Sequence, residues 1–236
     1  MKDTLFQHST IGALMGGMFD GTLTVDEVLT ANHTMGIGTL DGLDGELIIV
    51  DGAPFQVKVD GTVHEVDKRT KTPYVAVTNF EKEGEAAVTE TLSSDQLKEK
   101  LKQTFSSVNT FQAVKVRGTF QKIHCRSVEK QKKPYPRLVE ASKDQAEFTR
   151  DTVEGVLLGF YTPEIFGSIA VPEFHLHFLS NKHDFGGHVL DFALAEGRIE
   201  WQTMTTLEQH FPIKNNDFME VTIDYKNLAE DIEEAE

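Results

Sequence analysis

Apolar and polar residues alternate along most of the chain, with the period of two that is typical of β-strands. Residues 36–66 predict three strands, because Asp-Gly pairs at Asp44, Asp51 and Asp60 interrupt the alternation with turns. The same pattern predicts further strands at three places, residues 72–80, 111–130 and 153–166. The chain is therefore expected to be rich in β-structure.

Two β-hairpins are predicted after residue 170. The stretch "EFHLHFLSNKHDFGGHVLDF", residues 173–192, has alternating strands on either side of a polar turn at 182–183. The next stretch, "ALAEGRIEWQTM", predicts a second hairpin that turns at Glu196-Gly197.

Helical spacing occurs in only a few segments. Residues 20–32 predict a short helix capped by Thr24, and residues 93–107 predict a helix that begins at a serine cap. A third helix is expected near 138–148, and the last ten residues are interpreted as a short acidic helix or a tail.

These elements predict a mixed α/β fold of the α+β kind, dominated by β-strands. We expect two β-sheet or barrel-like subdomains with a few helices, one spanning residues 1–135 and the other residues 136–236. The histidine-rich stretch then belongs to the C-terminal subdomain.

Composition changes this picture in three ways. The net charge of −15 argues against nucleic acids and anionic membranes as partners. If the ligand is an anion, the site itself must supply positive charge.

No run approaches the roughly 18 apolar residues that span a bilayer, and the polar start of the chain does not resemble a secretory signal, so we expect a cytoplasmic protein. The single cysteine, Cys125, excludes an intrachain disulfide and is expected to be a buried apolar residue.

Four of the nine histidines lie within residues 173–192. On a strand, His175 and His177 share one face while the apolar residues between them face a core. A hairpin that turns at 182–183 places His188 opposite His177, so three imidazoles meet. Three nitrogen ligands with further positions open are typical of a catalytic zinc site. His183, in the turn, is expected to be exposed.

Acidic residues near these histidines are candidates for orienting the imidazole rings through hydrogen bonds. They are Glu173, Asp184 and Asp191.

Two other interpretations of the histidines stay open at this point. They could be surface residues of a binding or storage protein. They could also belong to a cupin-like metal-dependent oxygenase or isomerase, which also carries histidines two apart on a strand. That class normally has a glutamate three or four residues after the second histidine, and this chain has Asn181 and Lys182 near that place instead.

The stretch "FHLHFLSNKHDFGGHVLDF" resembles the zinc-binding signature of bacterial α-acetolactate decarboxylases. The resemblance covers essentially the whole chain, since further blocks occur in the family's order. These blocks are "FQHSTIGALMGGMFDGTLTVDEVL", "GIGTLDGLDGEL", "TPYVAVTNF", "GTFQKIHCRSV", "KKPYPRL", "GFYTPEIFGSI" and "QHFPIKNNDF".

The resemblance implies roles for particular residues. Zinc ligands match His175, His177 and His188. A glutamate after an Asp-Gly pair matches Glu46, an arginine on the strand after "GTF" matches Arg126, and a threonine in "GIGT" matches Thr39. A glutamate near the C-terminus is matched best by Glu234, with Glu233 and Glu236 as neighbouring alternatives.

The resemblance also implies an activity. Members of the family are carboxy-lyases that convert 2-acetolactate into acetoin and CO2 through a metal-stabilised enediolate, a step in acetoin and butanediol formation. The resemblance therefore implies Zn²⁺ as the cofactor, 2-acetolactate as the small-molecule partner, and a homodimer.

Overall fold

The computed structural model describes residues 3–223 and 226–235. The strands of its larger sheets are β1 (Thr4–His8), β3 (Met35–Thr39), β4 (Glu46–Val50), β5 (Ala53–Val57), β6 (Val63–Glu65), β8 (Tyr74–Thr78), β9 (Gly84–Val88), β10 (Leu92–Ser93), β11 (Gln112–Ser127), β12 (Ala146–Thr162), β13 (Glu173–Ser180), β14 (Gly186–Thr203) and β15 (Thr206–His210). Two short strands, β2 (Leu23–Thr24) and β7 (Lys71–Thr72), pair only with each other. The α-helices are α1 (Ile11–Met15), α2 (Val25–Thr30), α3 (Ser94–Thr104), α4 (Leu138–Ala141), α5 (Asn216–Glu220) and α6 (Leu228–Ala235). This confirms the β-rich α+β fold with a few helices.

The first sheet has seven strands in the order β15-β1-β8-β3-β4-β5-β6. Residues 36–66, for which three strands are predicted, form four consecutive antiparallel strands of this sheet, β3 to β6. Asp51 and Gly52, which link β4 to β5, have φ values of 51° and 82°. Both are positive, as the tight two-residue hairpin turn requires, so the Asp-Gly signal predicted this turn correctly.

The second sheet is built on four long strands. β14 pairs with β11 along most of its length and also with β13, which itself pairs with β12. Because β12 also pairs with β11, the four strands form a closed ring of pairings. This closure gives the sheet its barrel-like character.

The hairpin predicted at Glu196-Gly197 is wrong, because β14 continues through both residues. Gly197 lies opposite Gly118 on β11. A Cβ atom on Gly197 would come within 2.6 Å of the Arg117 carbonyl oxygen. The glycine therefore permits close approach of two strands and does not form a turn.

The two sheets pack face to face between two helices. One apolar cluster joins them, with Ile37 and Val57 from the first sheet against Leu158 and Leu179 from the second. Helix α2 covers the outer face of the first sheet, and helix α3 covers the other face of the second. Both sheets are therefore covered on both faces.

Local sequence signals explain where α2 and α3 begin. Thr24 and Ser93 are their N-caps, and in each case the residue three positions later completes a capping box. The helix predicted near 138–148 is shorter than expected. It ends at Ala141, continues as one 3₁₀ turn over Ser142–Asp144, and β12 begins at Ala146.

Another apolar cluster lies at one end of the sheets. It joins α1, α4 and α6 through residues that include Leu14, Leu138 and Ile232. An ion pair between Arg137 and Asp231 also fastens α6 to the segment before α4. The C-terminal residues that the structure describes are therefore a helix packed on the body of the protein.

The sheets do not separate at residue 135. β9, β10 and β11 precede that residue and belong to the second sheet, while β15 follows it and belongs to the first. The division into subdomains of residues 1–135 and 136–236 stays a prediction. The strands that form each sheet do not show which parts of the chain fold independently. Among the described residues, no helix has the length and apolar character needed to cross a membrane.

Replacement of Phe178 by alanine tests the core of the second sheet. The Phe178 side chain is fully buried, and its ring centroid lies 5.0 Å from that of Phe120. We expect the free energy of unfolding to fall by about 3–5 kcal/mol in urea denaturation, because the variant leaves a cavity. Ile165→Ala is the matched control, since Ile165 is 85% exposed. A loss of stability as large in the control would contradict the assignment of the core.

Candidate metal centre and active site

Three buried histidines converge between the two sheets. β13 carries His175 and His177, and β14 places His188 directly opposite His177. One ring nitrogen from each of the three residues lies within 4.8 Å of the other two. This confirms the predicted hairpin and its register, which bring the three imidazoles together.

The interpretation of these histidines as surface residues is wrong. The exposed fractions are 8% for His175, 1% for His177 and 4% for His188. The apolar residues between the histidines are predicted to face a core. On that face of β13, Leu176 and Phe178 are indeed buried in the core beside α3. The first sheet covers the histidine face, so both faces of this strand are buried.

His177 shows how the first sheet orients an imidazole. Its Nδ1 lies 3.2 Å from the Leu47 carbonyl oxygen on β4, so Nδ1–H is the donor and the lone pair is on Nε2. Burial, assisted by the neighbouring His175, holds the pKa of His177 well below its usual range. The ring is therefore neutral, which is the form that binds a metal.

Gly187, the residue before His188, allows β14 to approach β11 closely. Gly187 has φ 139°, and a Cβ atom there would lie 2.5 Å from the Arg126 carbonyl oxygen. In the resulting register, His188 is the partner of Arg126. The close approach therefore places a permanent positive charge beside the histidines. This charge is buried, since Arg126 is only 5% exposed.

Glu46 and Thr39 come from neighbouring strands of the first sheet and are partners in its register. A carboxylate oxygen of Glu46 lies 3.5 Å from His177 Nε2, and Glu46 is 8% exposed. The Thr39 hydroxyl donates a hydrogen bond to the Gly45 carbonyl oxygen at 2.7 Å. The glutamate is therefore held at the histidine cluster by the turn that precedes it.

These residues line one small cavity that is partly open to solvent. The three histidines, Glu46, Arg126 and Thr39 supply its polar wall. The remaining lining, which sequence reasoning missed, is mostly apolar and consists of Leu14, Gly38, Leu43, Tyr74, Val128 and Leu138. No local signal in the sequence marks these residues, since they come from α1, α4, two strands and two loops.

Three acidic residues predicted as possible partners of the histidines have other contacts. Glu173 forms an ion pair with Lys102. Asp184 accepts hydrogen bonds from Arg150 and Ser180, and Asp191 accepts one from Ser94 at 2.8 Å. His183 lies exposed in the turn, as predicted.

Glu234 lies on the exposed side of α6 and does not line the cavity. Its neighbour Glu233 lines a second, wider cavity together with Ile232 and His188. Glu236 lies outside the described residues. The described residues therefore do not bring the predicted terminal glutamate to the histidines.

The arrangement fits a bound metal ion. Three buried imidazole nitrogens close to one another are a suitable donor set for a divalent transition metal. His177 Nε2 is buried and has no hydrogen-bond partner among the described residues, as expected of an atom reserved for a metal. A metal held by these histidines would supply Lewis-acid chemistry at the cavity, beside the charged side chain of Arg126.

Cys125 takes no part in this site. It is fully buried on the opposite face of β11, and burial raises the pKa of its thiol far above the usual range. This confirms its prediction as a buried apolar residue.

Comparison with known proteins gives a consistent result over the whole chain. The model of the family "Alpha-acetolactate decarboxylase" matches residues 5–225. A relative of that name from Lactococcus lactis subsp. lactis is 40% identical over 232 residues, which covers 98% of each protein. Another from Methanosarcina mazei is 38% identical and covers 100% of this chain and 81% of the relative.

Solved structures give the same result for the fold. Alpha-acetolactate decarboxylase from Bacillus subtilis strain 168 superposes with a TM-score of 0.96 at 33% identity, over 99% of each chain. A Staphylococcus aureus protein of unknown function, similar to alpha-acetolactate decarboxylase, superposes with a TM-score of 0.95 at 39% identity, over 99% of this chain and 100% of that one. The chain therefore belongs to the alpha-acetolactate decarboxylase family.

Proposed function

We propose that the protein is a zinc-dependent carboxy-lyase that decarboxylates 2-acetolactate to acetoin and CO2, in acetoin and butanediol formation. The observation that carries the proposal is the cavity in which three buried histidines meet Arg126 and Glu46. Relatives named for this activity cover nearly the whole chain and support the same reaction. Family membership also favours it over the cupin-like oxygenase or isomerase.

The reaction sets a clear electrostatic task. The substrate carries a carboxylate and a hydroxyl on the carbon beside a ketone. Breaking the bond to the carboxylate releases CO2 and leaves an electron pair that moves into the ketone, which gives an enediolate. One proton added to carbon then gives acetoin. The site must therefore bind an anion, stabilise negative charge on oxygen and deliver one proton.

Arg126 suits the first task. Its guanidinium is always charged and presents several donors in one plane, which fits a carboxylate or an oxyanion. Burial at 5% exposure strengthens that interaction relative to water. In a chain with a net charge of −15, this arginine supplies the local positive charge that an anionic substrate needs.

Glu46 is our candidate for proton transfer and substrate orientation. It is the acid that lines the cavity among the described residues, and it lies beside His177. A carboxyl group in such a position can hold a proton and pass it to a neighbouring carbon. Thr39, its partner across the strands, lines the same cavity and is proposed to contact the substrate.

His175, His177 and His188 are the residues that would hold zinc. When bound there, Zn²⁺ supplies Lewis-acid stabilisation of negative charge on the substrate oxygens without an organic cofactor. The apolar residues Leu14, Leu138 and their neighbours form one wall of the cavity, which suits a small substrate. A cytoplasmic location, expected from the sequence, and a homodimer, implied by the family resemblance, complete the proposal.

An assay of acetoin formation tests the function and its metal together. Purified protein with zinc should release acetoin and CO2 from 2-acetolactate, and a chelator should abolish the activity until zinc is restored. His177→Ala should bind no zinc, measured by elemental analysis, and should lose at least about 100-fold in kcat/KM. The exposed His183→Ala is the matched control and should retain metal and activity. Zinc-loaded protein that forms no acetoin would refute the proposal.

The role of the terminal glutamate can be assigned with a set of single variants. Glu46→Gln should lower kcat by about 100-fold or more, the usual contribution of a proton-transfer group. Glu234→Gln should leave kcat within about threefold of the wild type, because Glu234 is exposed on α6. Glu233→Gln and Glu236→Gln are measured in parallel, since either could carry the role that the resemblance implies. A large loss of kcat in Glu234→Gln would show that α6 brings this residue to the substrate during turnover.

The homodimer can be tested by light scattering, which should give twice the chain mass of 26.4 kDa. β15 is the edge strand of the first sheet, and the segment after it exposes Phe211, Ile213 and Met219. An open edge beside apolar side chains suits pairing with a second copy. Ile213→Asp should therefore shift the mass toward the monomer. Ile165→Asp, at an exposed position on another part of the surface, should not.

A further inference from the structure

Arg126 is held by a side chain that no feature of the sequence marked. Arg126 Nη1 donates a hydrogen bond to Gln145 Oε1 at 2.7 Å. A guanidinium is flat and rigid, so fixing one of its nitrogens restricts the plane of the whole group. The direction in which Arg126 presents its charge to the cavity therefore depends on Gln145.

The amide of Gln145 is oriented from its other end. Its Nε2 donates to Glu147 Oε1 at 3.3 Å, and the other oxygen of Glu147 lies 2.9 Å from His124 Nε2. A flipped amide would place donor against donor at Arg126 and acceptor against acceptor at Glu147. The contacts therefore fix the amide with its oxygen toward the arginine.

The strand register explains why these four side chains meet. Arg126 and Glu147 are partners across β11 and β12. His124 precedes Arg126 by two residues on β11, so Arg126, Glu147 and His124 share one face of the sheet. Gln145 lies immediately before the first residue of β12. The hydrogen bonds lead from the buried Arg126 toward the protein surface, where the side chains of Glu147 and His124 are 48% and 30% exposed.

The backbone also holds Gln145 in place. Its N–H donates to the Ser142 carbonyl oxygen at 3.1 Å, at the end of the 3₁₀ turn that follows α4. Leu138, at the start of the same segment, lines the cavity. One short segment thus supplies both an apolar wall and the group that orients the arginine.

The chemical type of residue 145 matters as much as its position. A glutamine oxygen accepts the hydrogen bond without carrying a charge, so it orients Arg126 without adding a negative charge beside the guanidinium. A carboxylate at the same place would form an ion pair with the guanidinium and reduce its attraction for a bound carboxylate. The chain thus places a neutral acceptor at the site where an anion must be recognised.

We propose that Gln145 is a positioning residue, which orients the Arg126 guanidinium toward the substrate carboxylate and is itself oriented by Glu147. The role of the substrate carboxylate rests on the proposed function. The orientation of Arg126 toward small carboxylates in general does not, so the two can be tested separately.

The test uses zinc-loaded protein and two variants of nearly equal size. Gln145→Glu keeps an acceptor and adds a negative charge, whereas Gln145→Met removes the acceptor and adds no charge. Calorimetry measures the Kd for 2-hydroxy-2-methylpropanoate, which has the carboxylate and hydroxyl of the substrate and lacks the ketone. Kinetics with 2-acetolactate measures kcat and KM. Gln103→Glu, at an exposed position on α3, is the matched control.

We expect Gln145→Glu to raise both Kd and KM by about tenfold or more, the usual effect of losing a hydrogen-bonded charge interaction, with a smaller change in kcat. Gln145→Met should raise both by a smaller factor, about threefold to tenfold. A residue that only supports the fold would instead lower the unfolding temperature and reduce kcat in both variants alike. Gln103→Glu should match the wild type in every measurement.

Two results would overturn the inference. One is a Kd within about twofold of the wild type in both Gln145 variants. The other is equal effects of the two variants accompanied by a lower unfolding temperature. If the wild type binds the hydroxy acid but forms no acetoin, the proposed function fails, and the calorimetric comparison still tests Gln145.

Discussion

The pairing of β14 with two different strands is the constraint on which the rest of the site depends. At its first residues β14 pairs with β13 and with β11, so His188 lies opposite His177 on one side and opposite Arg126 on the other. Gly187 makes this possible, because a side chain there would collide with the backbone of β11. A single strand thereby joins the metal-binding nitrogens to the cationic group, and the closed ring of strands keeps them in register.

Burial between two sheets gives these groups their chemical character. Polar side chains in such a place destabilise the fold unless each has a partner, and the partners found here also set orientation. The Leu47 carbonyl oxygen fixes the ring of His177, and Gln145 fixes the guanidinium of Arg126. The same contacts that satisfy buried polar atoms therefore arrange the site before any ligand arrives, which is the condition for strong electrostatic stabilisation.

The small cavity and the acidic surface impose complementary limits on the ligand. With a net charge of −15, the protein as a whole repels anions, and the buried arginine beside the histidine cluster provides the exception. The apolar wall contributed by α1 and α4 limits the size of what can enter. A compact hydroxy-keto acid meets both limits, in agreement with the family to which the chain belongs.

The sequence by itself determined the local features. Alternation, Asp-Gly turns and serine or threonine caps predicted the hairpin of β4 and β5, the hairpin of β13 and β14, and helices α2 and α3. The spacing of His175, His177 and His188 predicted that they meet. These signals are local, since they depend on residues a few positions apart. Gly197 shows where local reasoning fails, because a glycine that serves strand approach resembles one that serves a turn. Only the tertiary structure decided that the histidine face is buried, that Leu14, Tyr74 and Leu138 enclose the cavity, and that Gln145 holds Arg126. Those contacts join residues distant in the chain, and packing of the two sheets brings them together.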